Sequence, residues 1–72
     1  GANSSATAEK VKAGLTKYAT KDFLVYFNAT GDKQPINHEG YTKLIDVSSG
    51  SVKEFSAIPS EVAAKSFIIL KK

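Results

Sequence analysis

The chain has 72 residues, a length that suits one small domain, and 42% of its residues are hydrophobic and 24% charged. Its net charge of +3 comes from ten lysines against seven carboxylates, and arginine, cysteine, methionine and tryptophan do not occur. The absence of arginine removes bidentate recognition of phosphates and base edges, and the absence of cysteine removes disulfides, thiolate metal ligands and thiol nucleophiles.

The first five residues differ in composition from the rest of the chain. Residues 1–5 are small and polar, and we expect a flexible N-terminus there, followed by a single domain over residues 6–72. Gly1 fits a residual tag residue, a removed signal peptide explains this start equally well, and excision from a longer protein is a third explanation. No apolar run approaches the length that spans a bilayer. Extracellular, virion-associated and cytoplasmic locations all stay open.

Residues 6–19 carry apolar side chains at offsets of three, four and three, which predicts an N-terminal amphipathic helix. Gly14 falls in the middle of this segment, where glycine costs about 1 kcal/mol relative to alanine. Either it marks a point where another backbone segment approaches closely, or it simply weakens the helix. The apolar stripe consists of Ala8, Val11, Leu15 and Tyr18.

Beyond Thr20 the chain is rich in aromatic and β-branched residues, separated by glycine, proline and serine, which predicts short strands. Pro35 confines its strand to a sheet edge, because proline cannot donate a hydrogen bond to a central ladder. A proline-serine-glutamate signal predicts one helical turn at residues 60–64. The predicted strands cover residues 21–29, 34–38, 41–47, 52–58 and 66–70.

The segments 41–47 and 52–58 form the clearest predicted hairpin. A tight turn at Ser49-Gly50 sets a register in which apolar residues face apolar residues and opposite charges face each other. The predicted pairs are Val47 with Val52, Asp46 with Lys53, Leu44 with Phe55, and Tyr41 with Ile58.

These elements predict an α+β domain, in which an N-terminal helix packs on a small curved antiparallel sheet of four to five strands. Several strands are apolar on both sides, and a single helix covers only one. Either the sheet curls into a small barrel or its second side is buried against another chain. For the second case the predicted interface consists of Leu24, Tyr26 and Tyr41, whereas Phe23, Phe27, Phe55 and Phe67 are assigned to the core.

The first functional hypothesis is therefore a non-catalytic interaction or assembly module, which self-associates or docks on a larger protein partner. The alternative is weak, sequence-nonspecific binding of a polyanion, either nucleic acid or an anionic surface. On a helix, Lys10, Lys17 and Lys21 would share one stripe and contact phosphates. The competing explanation for that stripe is an ordinary solvated helix flank.

The sequence carries no catalytic or metal-binding pattern. His38 stands alone and has no nucleophile beside it, and the carboxylates are scattered without a recognisable spacing. We therefore expect no enzyme activity, no metal, no cofactor and no small-molecule substrate. Asn3-Ser4-Ser5 and Asn28-Ala29-Thr30 match the glycosylation pattern, as is common by chance in a serine- and threonine-rich chain.

Overall fold

A computed structural model describes residues 7–48 and 50–72 of the chain. The predicted flexible N-terminus, residues 1–5, lies outside the described residues. Within those residues the chain forms strands and no helix, so the predicted α+β class is wrong and the fold is all-β. No described segment is therefore a helix that could cross a membrane. The strands are β1 (Thr7–Lys12), β2 (Leu15–Ala19), β3 (Phe23–Asn28), β4 (Gln34–Pro35), β5 (Lys43–Ser48), β6 (Ser51–Phe55), β7 (Glu61–Val62) and β8 (Ser66–Lys71).

Six strands form one antiparallel sheet in the order β1-β2-β3-β8-β5-β6, and β4 and β7 form a separate two-stranded sheet. The larger sheet confirms the predicted antiparallel pairing. It exceeds the predicted four to five strands, because the N-terminal segment adds a hairpin to it. Its order leaves β1 and β6 at opposite edges, so within the described residues the sheet is open and not a barrel.

Over residues 7–19, the described part of the predicted N-terminal helix 6–19, the chain forms the β1–β2 hairpin instead. Gly14 lies in the turn with a φ of 84°, a left-handed conformation that side chains disfavour. The Ala29 N–H donates to the Gly14 carbonyl at 2.7 Å, and a Cβ at Gly14 would lie 2.6 Å from Thr30 Cγ2. The close approach predicted at this glycine is therefore present, although in a turn of a sheet and not on a helix.

The predicted helical turn at residues 60–64 is also wrong, because Glu61–Val62 pairs with Gln34–Pro35 as β7. In the β5–β6 hairpin the predicted register is confirmed for its first three pairs: Val47 with Val52, Asp46 with Lys53, and Leu44 with Phe55. The fourth predicted pair, Tyr41 with Ile58, is not part of the hairpin, since Tyr41 precedes β5 and Ile58 follows β6.

The hydrophobic core lies between one side of the large sheet and the connections that carry β4 and β7. Leu24, Leu70 and Val62 have no exposed surface and form its centre. The connections add Ile36 and Ile58, which pack against this centre. Leu15, Tyr26 and Tyr41 complete the buried apolar set.

Asn28 is fully buried, and its side chain joins β3 to the connections that cover the core. Its Nδ2 donates to the carbonyls of Asp32 at 2.8 Å, Val62 at 3.2 Å and Ala63 at 3.0 Å. Its Oδ1 accepts from the Thr30 N–H at 2.9 Å and from the Thr30 hydroxyl at 2.6 Å. The glycosylation pattern at this asparagine therefore falls on a core side chain that already has hydrogen-bond partners.

Candidate functional site

Successive residues of β3 point to opposite sides of the large sheet, and the residues that the structure describes cover only one of these sides. Leu24 and Asn28, on one side, are 0% exposed. Phe23 and Phe27, on the other, are 40% and 50% exposed. We term the first side the covered face and the second side the open face.

A row of register partners crosses the open face from one edge strand to the other. Its four middle members are apolar and lie on four neighbouring strands, and cross-strand partners have Cβ atoms about 5 Å apart. The row therefore forms a continuous apolar band. From β1 to β6 its members are Ala8, Tyr18, Val25, Ile69, Ile45 and Glu54.

Next to this band lies a second set of apolar residues. Phe27 and Phe67 are register partners on β3 and β8, and their rings stack with centroids 6.5 Å apart and planes inclined by 7°. Both rings are about half exposed. Further along, Val47 and Val52 pair across the β5–β6 hairpin and are more exposed still.

The apolar area of the open face is large for a chain of this length. Eight large apolar side chains are exposed among the described residues, and the register places six of them on the open face. At about 150–250 Å² for a fully exposed aromatic residue, and somewhat less for valine, these six residues leave roughly 500–600 Å² of their surface in water, backbone included. This lies at the upper end of the about 300–600 Å² of the largest apolar patch on a typical monomer, a patch that is often functional. The six are Tyr18, Phe23, Phe27, Val47, Val52 and Phe67.

Charged residues lie at the margins of the open face. Lys43 and Lys71 are register partners at one end of their strands. The Lys43 Nζ lies 3.6 Å from the Glu54 Oε1 on edge strand β6. On the opposite edge strand, Lys10 pairs with Thr16 and points to the same face. The open face thus has an apolar centre and a charged rim, the pattern of a protein interface.

The edges of the sheet are less suited to association than its open face. Strand β1 carries Lys10 and Lys12, and its register with β2 shifts between them, as in a β-bulge. Strand β6 carries Lys53 and Glu54. Lysines and bulges on edge strands oppose pairing with strands of other molecules. Association through the face is therefore favoured over extension of the sheet at its edges.

The covered face also contains a polar cluster. The Lys17 Nζ donates to Glu39 Oε2 at 2.6 Å and lies 3.5 Å from Glu9 Oε1. The hydrogen bond to Glu39 raises the pKa of Lys17 above its ordinary 10.5. The Tyr26 hydroxyl donates to the Asn37 carbonyl at 2.8 Å, and burial raises the pKa of this phenol. These contacts hold the connection after β4 against the sheet.

The three residues predicted as an interface all lie in the core. Leu24, Tyr26 and Tyr41 are 0%, 3% and 7% exposed, and the Tyr41 hydroxyl donates to the Thr20 carbonyl at 2.6 Å. The chain itself encloses these side chains. The apolar surface available to a partner is on the opposite side of the same sheet.

The aromatic residues assigned to the core by sequence are exposed instead. Phe23, Phe27 and Phe67 line the open face, and Phe55, on edge strand β6, is 43% exposed on the covered side. The core assignment is wrong for all four. The strand pattern did reveal that β3 is apolar on both sides, but it contains no signal for which side the rest of the chain covers.

The three lysines of the predicted stripe do not share a surface. Lys10 is on β1 and points to the open face, whereas Lys17 is on β2, points to the covered face and is ion-paired with Glu39. Lys21 lies in the connection between β2 and β3. The stripe depended on a helix, and the hairpin that replaces the helix separates its members.

Neither clusters of ionisable side chains among the described residues nor similarity to known proteins points to a second site. Among residues 7–48 and 50–72, no three His, Cys, Asp or Glu side chains come together as a metal site requires. His38 is exposed just before the turn at residues 39–40, and its carbonyl accepts from the Tyr41 N–H at 2.8 Å. No protein family model, curated protein sequence or solved structure matches this chain. The open face is therefore the candidate functional site.

Proposed function

We propose that this chain is a non-catalytic assembly module that associates with protein through its open face. The observation that carries the proposal is the continuous apolar band across the sheet, extended by the stacked Phe27–Phe67 pair. Exposure of such a surface to water costs about 25 cal/mol of free energy for each Å² of apolar area. Covering the open face supplies the stabilisation that a small domain without disulfides otherwise lacks.

The arrangement of charge supports the same function. Ionic residues lie around the apolar band and at the sheet edges, so the face can dock while its margin stays hydrated. The alternative of polyanion binding has less support, because Lys17 is ion-paired on the covered face and cannot act together with Lys10. We therefore propose protein association as the function.

The proposal is tested by the size of the species that contains this chain. It is measured by gel filtration with light scattering, on the isolated chain and on a gentle extract of its native source. The test variant combines Phe27→Asp with Phe67→Asp, and the matched control is Phe55→Asp, an aromatic of similar exposure on the covered side.

We expect wild type and the control to elute well above the 7.7 kDa of one chain in the extract, and the test variant to elute as a folded monomer. Elution of wild type at monomer mass both in the extract and in isolation would overturn the proposed function. Elution of the test variant with the wild-type assembly would overturn the assignment of that function to the open face.

A further inference from the structure

We propose that the occupant of the open face is a second copy of this chain, stacked face to face about a two-fold axis parallel to the strands. This inference rests on the proposed function and specifies its partner. It is carried by two observations about the open face: its area and the placement of its charges.

The area of the open face matches what a stable dimer needs. The exposed apolar residues contribute roughly 500–600 Å². The partly buried Val25, Ile45 and Ile69 and the polar rim bring the surface close to the about 800 Å² per partner that a standard interface buries. A face of the same size and chemistry is present on every copy of the chain. Two such faces would form a sandwich whose inner layer is apolar at its centre and charged at its margins.

Symmetry limits how two identical faces can meet. For face-to-face contact the two-fold axis has to lie in the plane of the interface, so it runs either along or across the strands. An axis across the strands places β6 on β6 of the second copy. Where this axis runs along the row that contains Glu54, the row meets itself, and two like charges face each other at the edge.

An axis along the strands instead places β1 of one copy on β6 of the other. Lys10 on β1 and Glu54 on β6 both point to the open face and lie on neighbouring rows, about 7 Å apart along the strands. The side chain of Lys10 can span this distance. Each dimer then gains two such opposite-charge pairs, one at each margin, in addition to the ion pair of Glu54 with Lys43 of its own chain.

The test uses sedimentation equilibrium of the isolated full chain from low to high micromolar concentration, with circular dichroism to check folding. The variants are Lys10→Glu, Glu54→Lys and their combination. The matched control is Lys12→Glu, because Lys12 is on the same edge strand but its Nζ donates to Gln34 on the covered side at 3.0 Å.

We expect wild type to be a dimer, and each single reversal to weaken dimerisation about tenfold, since it turns two attractive pairs into repulsive ones. The combined variant should return to within about threefold of wild type, and the control should stay within about threefold. The two-fold arrangement would be overturned if the charge reversals left the dimerisation constant unchanged. It would also be overturned if the combined variant dimerised no better than the single variants.

A monomeric isolated chain at all concentrations would overturn self-association as a whole. The proposed function would then be decided by gel filtration of the extract. A species larger than one chain in the extract would still indicate a different protein partner. The failure of this inference and the failure of the proposed function therefore give different results.

Discussion

Replacement of Asn28 by alanine is expected to remove a large share of the stability of this domain. The substitution removes the hydrogen bond from Nδ2 to the carbonyl of the buried Val62, at a cost of about 1 kcal/mol. The partners at Thr30, Asp32 and Ala63 are only partly buried and regain water, so the whole network is worth about 3 kcal/mol. For 72 residues the total stability expected is about 4–11 kcal/mol.

The assay is urea unfolding followed by circular dichroism, at a fixed low protein concentration. With a slope of about 1 kcal/mol per M, the midpoint of Asn28→Ala should fall by about 2–3 M. Asn37→Ala is the control, because Asn37 is exposed and its Oδ1 accepts a single hydrogen bond, from the Glu39 N–H at 3.0 Å. The control should lose no more than about 1 kcal/mol.

Asn28→Asp separates hydrogen bonding from side-chain size. Its carboxylate would face three carbonyl oxygens, so the folded state should raise the pKa of this group above the ordinary value of about 3.9. A raised pKa in the folded state means that the variant regains stability, relative to wild type, as pH falls through that pKa. The role assigned to the Asn28 hydrogen bonds would be contradicted if the free energy of unfolding of Asn28→Ala lay within about 0.5 kcal/mol of the wild-type value. It would also be contradicted if Asn28→Asp gained no stability relative to wild type as the pH falls.

Gly14→Ala should cost more stability than Gly50→Ala, because both glycines have positive φ, at 84° and 74°, but only at Gly14 does a Cβ meet another side chain. The backbone costs about 1–2 kcal/mol at each, and the overlap adds about 1 kcal/mol at Gly14, so equal urea midpoints would contradict the close approach. Lys17 has a pKa raised above 10.5, so its stabilisation is present below that pH and is lost as pH rises through the folded pKa. Lys17→Met should reduce the alkaline loss of stability in pH-dependent unfolding, and an unchanged loss would contradict the role of its ion pairs. Leu24→Ala should cost about 3 kcal/mol and Phe27→Ala about 1 kcal/mol in dilute urea titrations, and the reverse order would contradict the assignment of the two faces.

The strands at the centre of the sheet could be predicted from sequence because their composition is unambiguous. The aromatic and β-branched residues around Val25 and Ile69 suit a pleated surface better than a helix. The β5–β6 register followed from side-chain pairing across a short turn, an interaction local in sequence. Its predicted pairs failed only at Tyr41 and Ile58, where the chain leaves the hairpin to cover the core.

The N-terminal hairpin could not be predicted from residue composition or from side-chain pairing. All described residues of β1 are exposed, so no alternation of apolar and polar residues marks that strand. On β2 the inward positions are Leu15, Lys17 and Ala19, and the lysine hides the period of two. The helical spacing of apolar residues in this segment is therefore coincidental.

The choice of the covered face depends on contacts that are distant in sequence. Val62 and Ile36 belong to the connections, and they pack on the side of β3 that carries Leu24. Since β3 is apolar on both sides, its own sequence allows either choice. The sequence therefore predicted the excess of apolar surface, but placed the exposed part of it on the wrong side chains.

Association through the open face is tested most directly by the access of a soluble paramagnetic probe to the phenylalanine rings, measured by NMR in the associated state. In a single chain Phe27, Phe67 and Phe55 are 50%, 51% and 43% exposed, so their ring signals should broaden alike. If the open face is the association surface, Phe27 and Phe67 will be protected while Phe55 stays accessible. Equal broadening of all three rings in the associated state would contradict the account.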